Sequence, residues 1–189
     1  DVLSMVNSFF AFNTNEIESN SFFDMAERKL LTAFCFYVLD KYKEQPDKQN
    51  FACINKILTK LHTTDDFDGL FNDFYKLNKE KPAYHYYKEV RRCSLDAFKP
   101  IVISMAMRLS VFNISEIADL TATDDFDIEN LSNKKTAVFI NIPTSDTFLN
   151  FIANMFIMQA FSLQRSVTRN EKKYNVEFIL DEYFDITNP

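Results

Sequence analysis

Thr136-Ala137-Val138-Phe139-Ile140-Asn141-Ile142-Pro143 is the stretch at which the chain changes character. It is a compact apolar run rich in β-formers and closed by proline, and it predicts a strand over 136–142. Downstream, Thr144-Ser145-Asp146 supplies a helix N-cap. A helix is then expected from about Thr147 to Val167, followed by a charged loop from Arg169 to Lys173. A second strand, Tyr174-Asn175-Val176-Glu177-Phe178-Ile179-Leu180, ends on Asp181-Glu182. Strand, helix, strand in that order predicts a parallel pair with a right-handed crossover.

Upstream of Asn133 the periodicity is helical only. Val2, Leu3, Val6, Phe9 and Phe10 recur at helical spacing, and Asn13-Thr14-Asn15 breaks the pattern. A second helix is expected from Ser21 to about Glu44, with Phe22, Met25, Ala26, Leu30, Ala33, Phe34, Tyr37 and Val38 on its face, and Pro46 stops it. A third runs from about Lys48 to Leu61. A fourth lies between Asp65-Asp66 and Pro82, its acidic start suited to the positive end of the helix dipole. A long helical stretch from Ala83 to Val111 contains Pro100, which predicts a kink near Phe98-Lys99. Asn113-Ile114-Ser115-Glu116 then caps a short helix over Ser115 to Leu120. The fold class is therefore mainly α: a bundle-like helical region flanked by a partial α/β segment.

Composition agrees. The chain has 21 Phe and no Trp, so an aromatic core is affordable, but it has a single glycine, Gly69. A phosphate loop of the form G-x-x-x-x-G-K-[ST] needs two glycines and cannot occur here. The net charge of −6 argues against broad nonspecific nucleic-acid binding. Arg91-Arg92 and the stretch from Arg165 to Lys173 are the local basic candidates, and runs of this kind are usually solvated faces. Asp65, Asp66, Asp68 and Asp73 make the helical region acidic, which suits a basic protein partner better than DNA. Cys35, Cys53 and Cys93 are far apart, lack metal spacing and read as buried thiols. The first residues lack a basic region and a continuous apolar run, so no signal peptide is read, and the segment is expected to be soluble.

The chemistry sits at the end of the second predicted strand. Ligands of parallel sheets lie beyond the carboxyl ends of the strands. An aspartate there, such as Asp181, holds the Mg ion beside nucleotide phosphates in P-loop enzymes, and a neighbouring glutamate, such as Glu182, orients the attacking water or takes its proton. Alternation along the strand points the two carboxylates to opposite sides. The bland reading is that Asp181-Glu182 opens a polar loop. Elsewhere, Tyr84-His85-Tyr86-Tyr87 reads as a packing surface before a base-stacking one, and Arg108 as a structural ion pair before a phosphate contact.

Lys134 to Pro143, Asp146-Thr147-Phe148-Leu149-Asn150-Phe151, Gln159-Ala160-Phe161 and Phe178-Ile179-Leu180-Asp181-Glu182-Tyr183, together with Lys99 to Leu109 and Asp119-Leu120-Thr121, resemble the TraG/TraD-type coupling proteins of conjugation and type IV secretion. The resemblance covers nearly the whole chain. It implies a membrane-anchored homo-hexameric ATPase on the cytoplasmic face of the bacterial membrane, using ATP and Mg. It also implies that a relaxase, relaxosome accessory proteins and single-stranded DNA are linked to the secretion channel components. In its terms, residues 1–19 are a helix joined to the motor domain, 20–130 an all-α substrate-recognition domain, and 131–189 a partial RecA-like segment ending in a Walker B-like strand. Asp181 is then the cofactor-binding and Mg-site acid and Glu182 the catalytic carboxylate, while the phosphate loop is expected upstream of Asp1. After Glu182, Tyr183-Phe184-Asp185-Ile186-Thr187-Asn188 lacks the glycine the family carries in this loop. Alone, the chain is expected neither to bind ATP tightly nor to hydrolyse it. Two other readings stand beside this one: a stand-alone helical adaptor, and a small Mg-dependent enzyme using Asp181 with Asp146.

Overall fold

The computed structural model describes residues 2–11, 22–64, 66–76, 78–142, 150–166 and 173–181. Eight α-helices are formed among them: α1 (Val2–Ala11), α2 (Phe22–Lys41), α3 (Phe51–Thr64), α4 (Phe67–Phe74), α5 (Pro82–Arg91), α6 (Leu95–Leu109), α7 (Ser115–Leu120) and α8 (Asn150–Ser166). The chain divides into two compact units. One is residues 15–123; the other joins 3–14 to 124–189, so the first interrupts the second in sequence.

The helical unit is built on α2. Leu30, Leu31, Ala33, Phe34, Tyr37 and Val38 of this helix are buried. Tyr37 and Phe34 pack against Phe71 of α4 at 5.4 and 5.3 Å between ring centroids. Phe71 in turn stacks on Tyr87 of α5 at 4.1 Å with the rings nearly parallel. Phe67 meets Phe98 of α6 edge-on at 5.5 Å. Ile54 and Leu58 of α3 and Ile101, Met105 and Leu109 of α6 complete the core. Offset and edge-to-face aromatic pairs add about 0.5–1.5 kcal/mol each beyond the area they bury, which is how a phenylalanine-rich chain closes a core from short helices.

Three details of the helices depart from the sequence reading. The expected long helix over 83–111 is two helices, because Ser94 caps a new one by accepting from the Ala97 N–H at 3.3 Å. The break therefore precedes Pro100, which lies inside α6 and is exposed. Met25 and Phe22, expected on the core face of α2, are 53% and 55% exposed, since the core is reached only from Ala26 onward.

In the second unit, Phe9 of α1 meets Phe151 of α8 edge-on at 6.2 Å, so the two ends of the chain are joined. Asn150, Asn154 and Gln164 of α8 face inward with Phe151, Ile157 and Ala160. Gln164 donates from Nε2 to the Ile128 carbonyl at 3.3 Å. Among the described residues no helix is long and apolar enough to cross a membrane.

The predicted strand-helix-strand is corrected here. The helix forms, but the backbone over 136–142 and 174–180 carries no strand. A strand is held by ladder bonds to a neighbour, and an isolated pair is marginal in water even with good β-formers. Phe139 and Ile179 are 92% and 85% exposed, so one face of each run is uncovered, while Val138, Val176 and Phe178 on the other face are half-buried.

Candidate functional site

The acidic pair is the first candidate. Tyr174 donates its N–H to the Ser132 carbonyl at 2.8 Å. Phe178 stacks on Phe161 of α8 at 3.9 Å between centroids. These two contacts hold the segment 174–180 at Ser132 and at α8, and Asp181, which follows it, is exposed. Glu182 and Asp146 lie outside the described residues. Among the described residues no three His, Cys, Asp or Glu side chains converge as a metal cluster. For Mg-ATP the fit is thus partial: Asp181 offers an open carboxylate, and the chain holds no phosphate loop. What Asp181 can do alone is hold a cation delivered with its other ligands.

The acids of the helical unit are the second candidate, and the structure redistributes them. Asp66 is the N-cap of α4, accepting from the Gly69 N–H at 2.9 Å. Asp68 accepts from the Tyr87 hydroxyl at 2.8 Å and from Arg91 Nε at 3.0 Å. Asp40 does the same for the Tyr75 hydroxyl at 2.9 Å and Lys81 Nζ at 3.1 Å. Burial, then the carboxylate each hydroxyl faces, raises both tyrosine pKa values, so both stay neutral donors. Asp66 and Asp68 are therefore committed to the fold, and Asp65 lies outside the described residues. Asp73, Asp96, Glu116 and Asp119 are exposed, as are Glu44, Asp47, Glu80 and Glu89, the last of these paired with Lys29.

Tyr84 to Tyr87 pack. Tyr87 is buried on Phe71, Tyr86 stacks on Phe36 at 6.1 Å, and Tyr84 donates to Asn72 Oδ1 at 3.1 Å, leaving His85 exposed. Arg108 donates from Nε to Glu27 Oε2 at 2.7 Å, a largely buried ion pair. The three cysteines are free. Cys35 is buried and its thiol is pushed up to about 12 by desolvation, whereas Cys53 and Cys93 are only half-buried.

One feature escaped the sequence reading. At the end of α2, Lys41 donates to the Tyr37 hydroxyl at 2.8 Å and lies 5.6 Å from the Tyr42 ring centre. Lys48, across the turn at Pro46, lies 5.5 Å from the same ring. In sequence these lysines lie in a polar stretch around Pro46; only packing shows them gathered on one aromatic.

The family model for type IV secretory system conjugative DNA transfer matches residues 1–187. Among curated proteins, the type IV secretion system-coupling protein VirD4 of Bartonella quintana (strain Toulouse) is 25% identical over 172 residues, which is 89% of this chain and 26% of that protein. The VirD4 coupling protein of Bartonella henselae (strain ATCC 49882 / DSM 28221 / CCUG 30454 / Houston 1) is 23% identical over 171 residues, again 89% of this chain and 26% of the relative. The chain thus spans about a quarter of the length of these relatives. No solved structure matches it significantly.

Proposed function

Because this chain belongs to the type IV secretory system family of conjugative DNA transfer, we propose that it is the substrate-facing part of a coupling ATPase. In this reading the longer protein recruits relaxosome and DNA–protein substrate to the secretion channel and drives transfer by ATP hydrolysis at the cytoplasmic face of the membrane. The observation that carries the division of labour is topological. A helical unit with its own aromatic core, 15–123, interrupts a second unit made of 3–14 and 124–189. An inserted domain that closes its own core is free to face a partner while its host does other work. Exposed Asp73, Asp96, Glu116 and Asp119 favour a basic protein surface among the relaxosome components.

The second unit is read as part of the motor. Its two apolar runs become sheet strands when strands from the rest of the longer protein pair with them, and Asp181 and Glu182 then stand at the carboxyl end of one strand. Bound Mg-ATP would supply the reactive phosphate. Asp181 would hold the metal, and Glu182 would orient the attacking water and receive its proton.

The test is ATP turnover by the full-length protein. Glu182→Gln is expected to leave ATP binding intact and to lower kcat by about 10²-fold or more, in the range of a lost general base. Asp181→Ala is expected to weaken Mg-dependent nucleotide binding. Hydrolysis by the 189-residue chain alone, abolished by Glu182→Gln, would overturn the reading.

A further inference from the structure

The segment 174–180 is held at two points. The Tyr174 N–H donates to the Ser132 carbonyl at 2.8 Å. Four residues on, Phe178 lies face to face with Phe161 of α8, 3.9 Å between centroids and 17° between planes. Both anchors are themselves fixed. Ser132 is buried, and α8 is tied to the stretch before it by the Phe126–Phe156 edge contact at 5.2 Å and by Gln164 Nε2 on the Ile128 carbonyl at 3.3 Å. From one anchor to the other the side chains alternate. Tyr174, Val176 and Phe178 are half-buried, whereas Asn175, Glu177 and Ile179 are exposed. Asp181 has the parity of the exposed set and is exposed itself.

Two kinds of slip compete with this register. A shift by one residue would turn Asn175 and Glu177 toward α8, and the cost of burying them opposes it. A shift by two keeps the apolar parity, because Val176 and Leu180 share it with Phe178. Ladder bonds in a sheet do not choose between registers two residues apart, since the side-chain pattern repeats with that period. The choice falls to the side chain that fits Phe161, and neither valine nor leucine offers a flat ring face. With the run paired in a sheet, a two-residue shift would carry Asp181 about 6.6 Å along the strand. A Mg–oxygen bond is only about 2.1 Å long and tolerates little deviation.

We propose that Phe161 is a positioning residue: its stack on Phe178 sets the register of 174–180 and so the place at which Asp181 is presented to Mg-ATP. The inference rests on the reading of Asp181 as the Mg-site acid. Phe161 acts through Phe178 and needs no contact with metal or nucleotide, in the way that groups behind a metal ligand orient it.

The experiment has two arms. In the 189-residue chain, without nucleotide, amide hydrogen exchange followed by NMR reads the Tyr174 N–H. Phe161→Ala is expected to speed that exchange at least about tenfold, and Phe161→Tyr, which keeps the ring, to leave it within about twofold of the parent. In the full-length protein, binding of a fluorescent ATP analogue is titrated with Mg. Phe161→Ala is expected to weaken the Mg-dependent part of binding about tenfold, to leave binding without Mg unchanged, and to be rescued by Phe161→Tyr. Phe156→Ala, which removes an aromatic contact of α8 away from Phe178, controls for general loosening and is expected to stay within about twofold in this arm. Where Phe161→Ala fails to fold, Phe161→Leu, which keeps apolar bulk without the ring, carries both arms. Unchanged exchange at Tyr174, unchanged Mg dependence, or equal loss in Phe156→Ala would each overturn the proposal. Asp181→Ala separates it from the reading beneath it. If Asp181→Ala weakens Mg-dependent binding and Phe161→Ala does not, only the positioning role falls. If Asp181→Ala changes nothing, the Mg-site reading falls and takes the positioning role with it.

Discussion

Arg108 and Glu27 show what single residues contribute here. Their 2.7 Å contact joins α6 to α2, with Glu27 only 3% and Arg108 18% exposed at the side chain. A buried pair is weak evidence of net stabilisation, because both groups were desolvated to form it. Losing one partner is a different matter, since the survivor stays buried and uncompensated. Glu27→Ala is expected to lower unfolding stability toward the low end of ~3–5 kcal/mol, as Arg108 keeps some access to water. Glu27→Leu/Arg108→Met is expected to recover most of that loss in the same urea titration. A loss no smaller in the double variant than in Glu27→Ala would show that the pair holds the helices by charge. The structural role of Arg108 was legible from its place in an apolar helix. Its partner, 81 positions away, was not, because side-chain pairing across that distance depends on how helices cross.

At the scale of elements, α4 shows how a local rule and the only glycine combine. Asp66 caps the helix through the Gly69 N–H, and a Cβ on Gly69 would run into the Asp66 carboxylate. The glycine is kept for room, not for an unusual backbone angle, since its φ is negative. Two effects of similar size then oppose each other. Alanine in place of helical glycine gains about 0.8–1 kcal/mol, and loss of an N-cap costs about 1 kcal/mol. Gly69→Ala is therefore expected to be near neutral, Asp66→Ala to cost about 1 kcal/mol, and Gly69→Ala in the Asp66→Ala background to be stabilising by about 1 kcal/mol. Thermal melts of the four proteins check the cycle, and simple additivity would refute the steric argument. The acidic start of this helix was legible in sequence. The cost of filling Gly69 was not, because it depends on the rotamer that the cap selects.

For the whole molecule, the decisive feature is the pair of apolar runs left without a sheet. Phe139 at 92% and Ile179 at 85% exposure are costly in water and invite edge-to-edge association. Phe139→Lys/Ile179→Lys is expected to raise the solubility of the 189-residue chain and to change its unfolding free energy by less than ~0.5 kcal/mol, as for exposed sites. In the full-length protein the same pair is expected to be destabilising by about 2 kcal/mol or more, as for buried apolar positions. Equal tolerance in both proteins would count against the sheet reading. The sequence alone determined the helical character of the region before residue 120, most of the core face of α2, the change of character near residue 136 and the absence of a phosphate loop from these residues. These follow from periodicity, caps and glycine count, which are local. Tertiary structure alone decided that the β-like runs stay unpaired, that Asp66 and Asp68 are spent on the fold, and that Lys41 and Lys48 gather on Tyr42. A strand, an ion pair and a charged face each need a partner brought from elsewhere, and a local pattern cannot say whether that partner arrives.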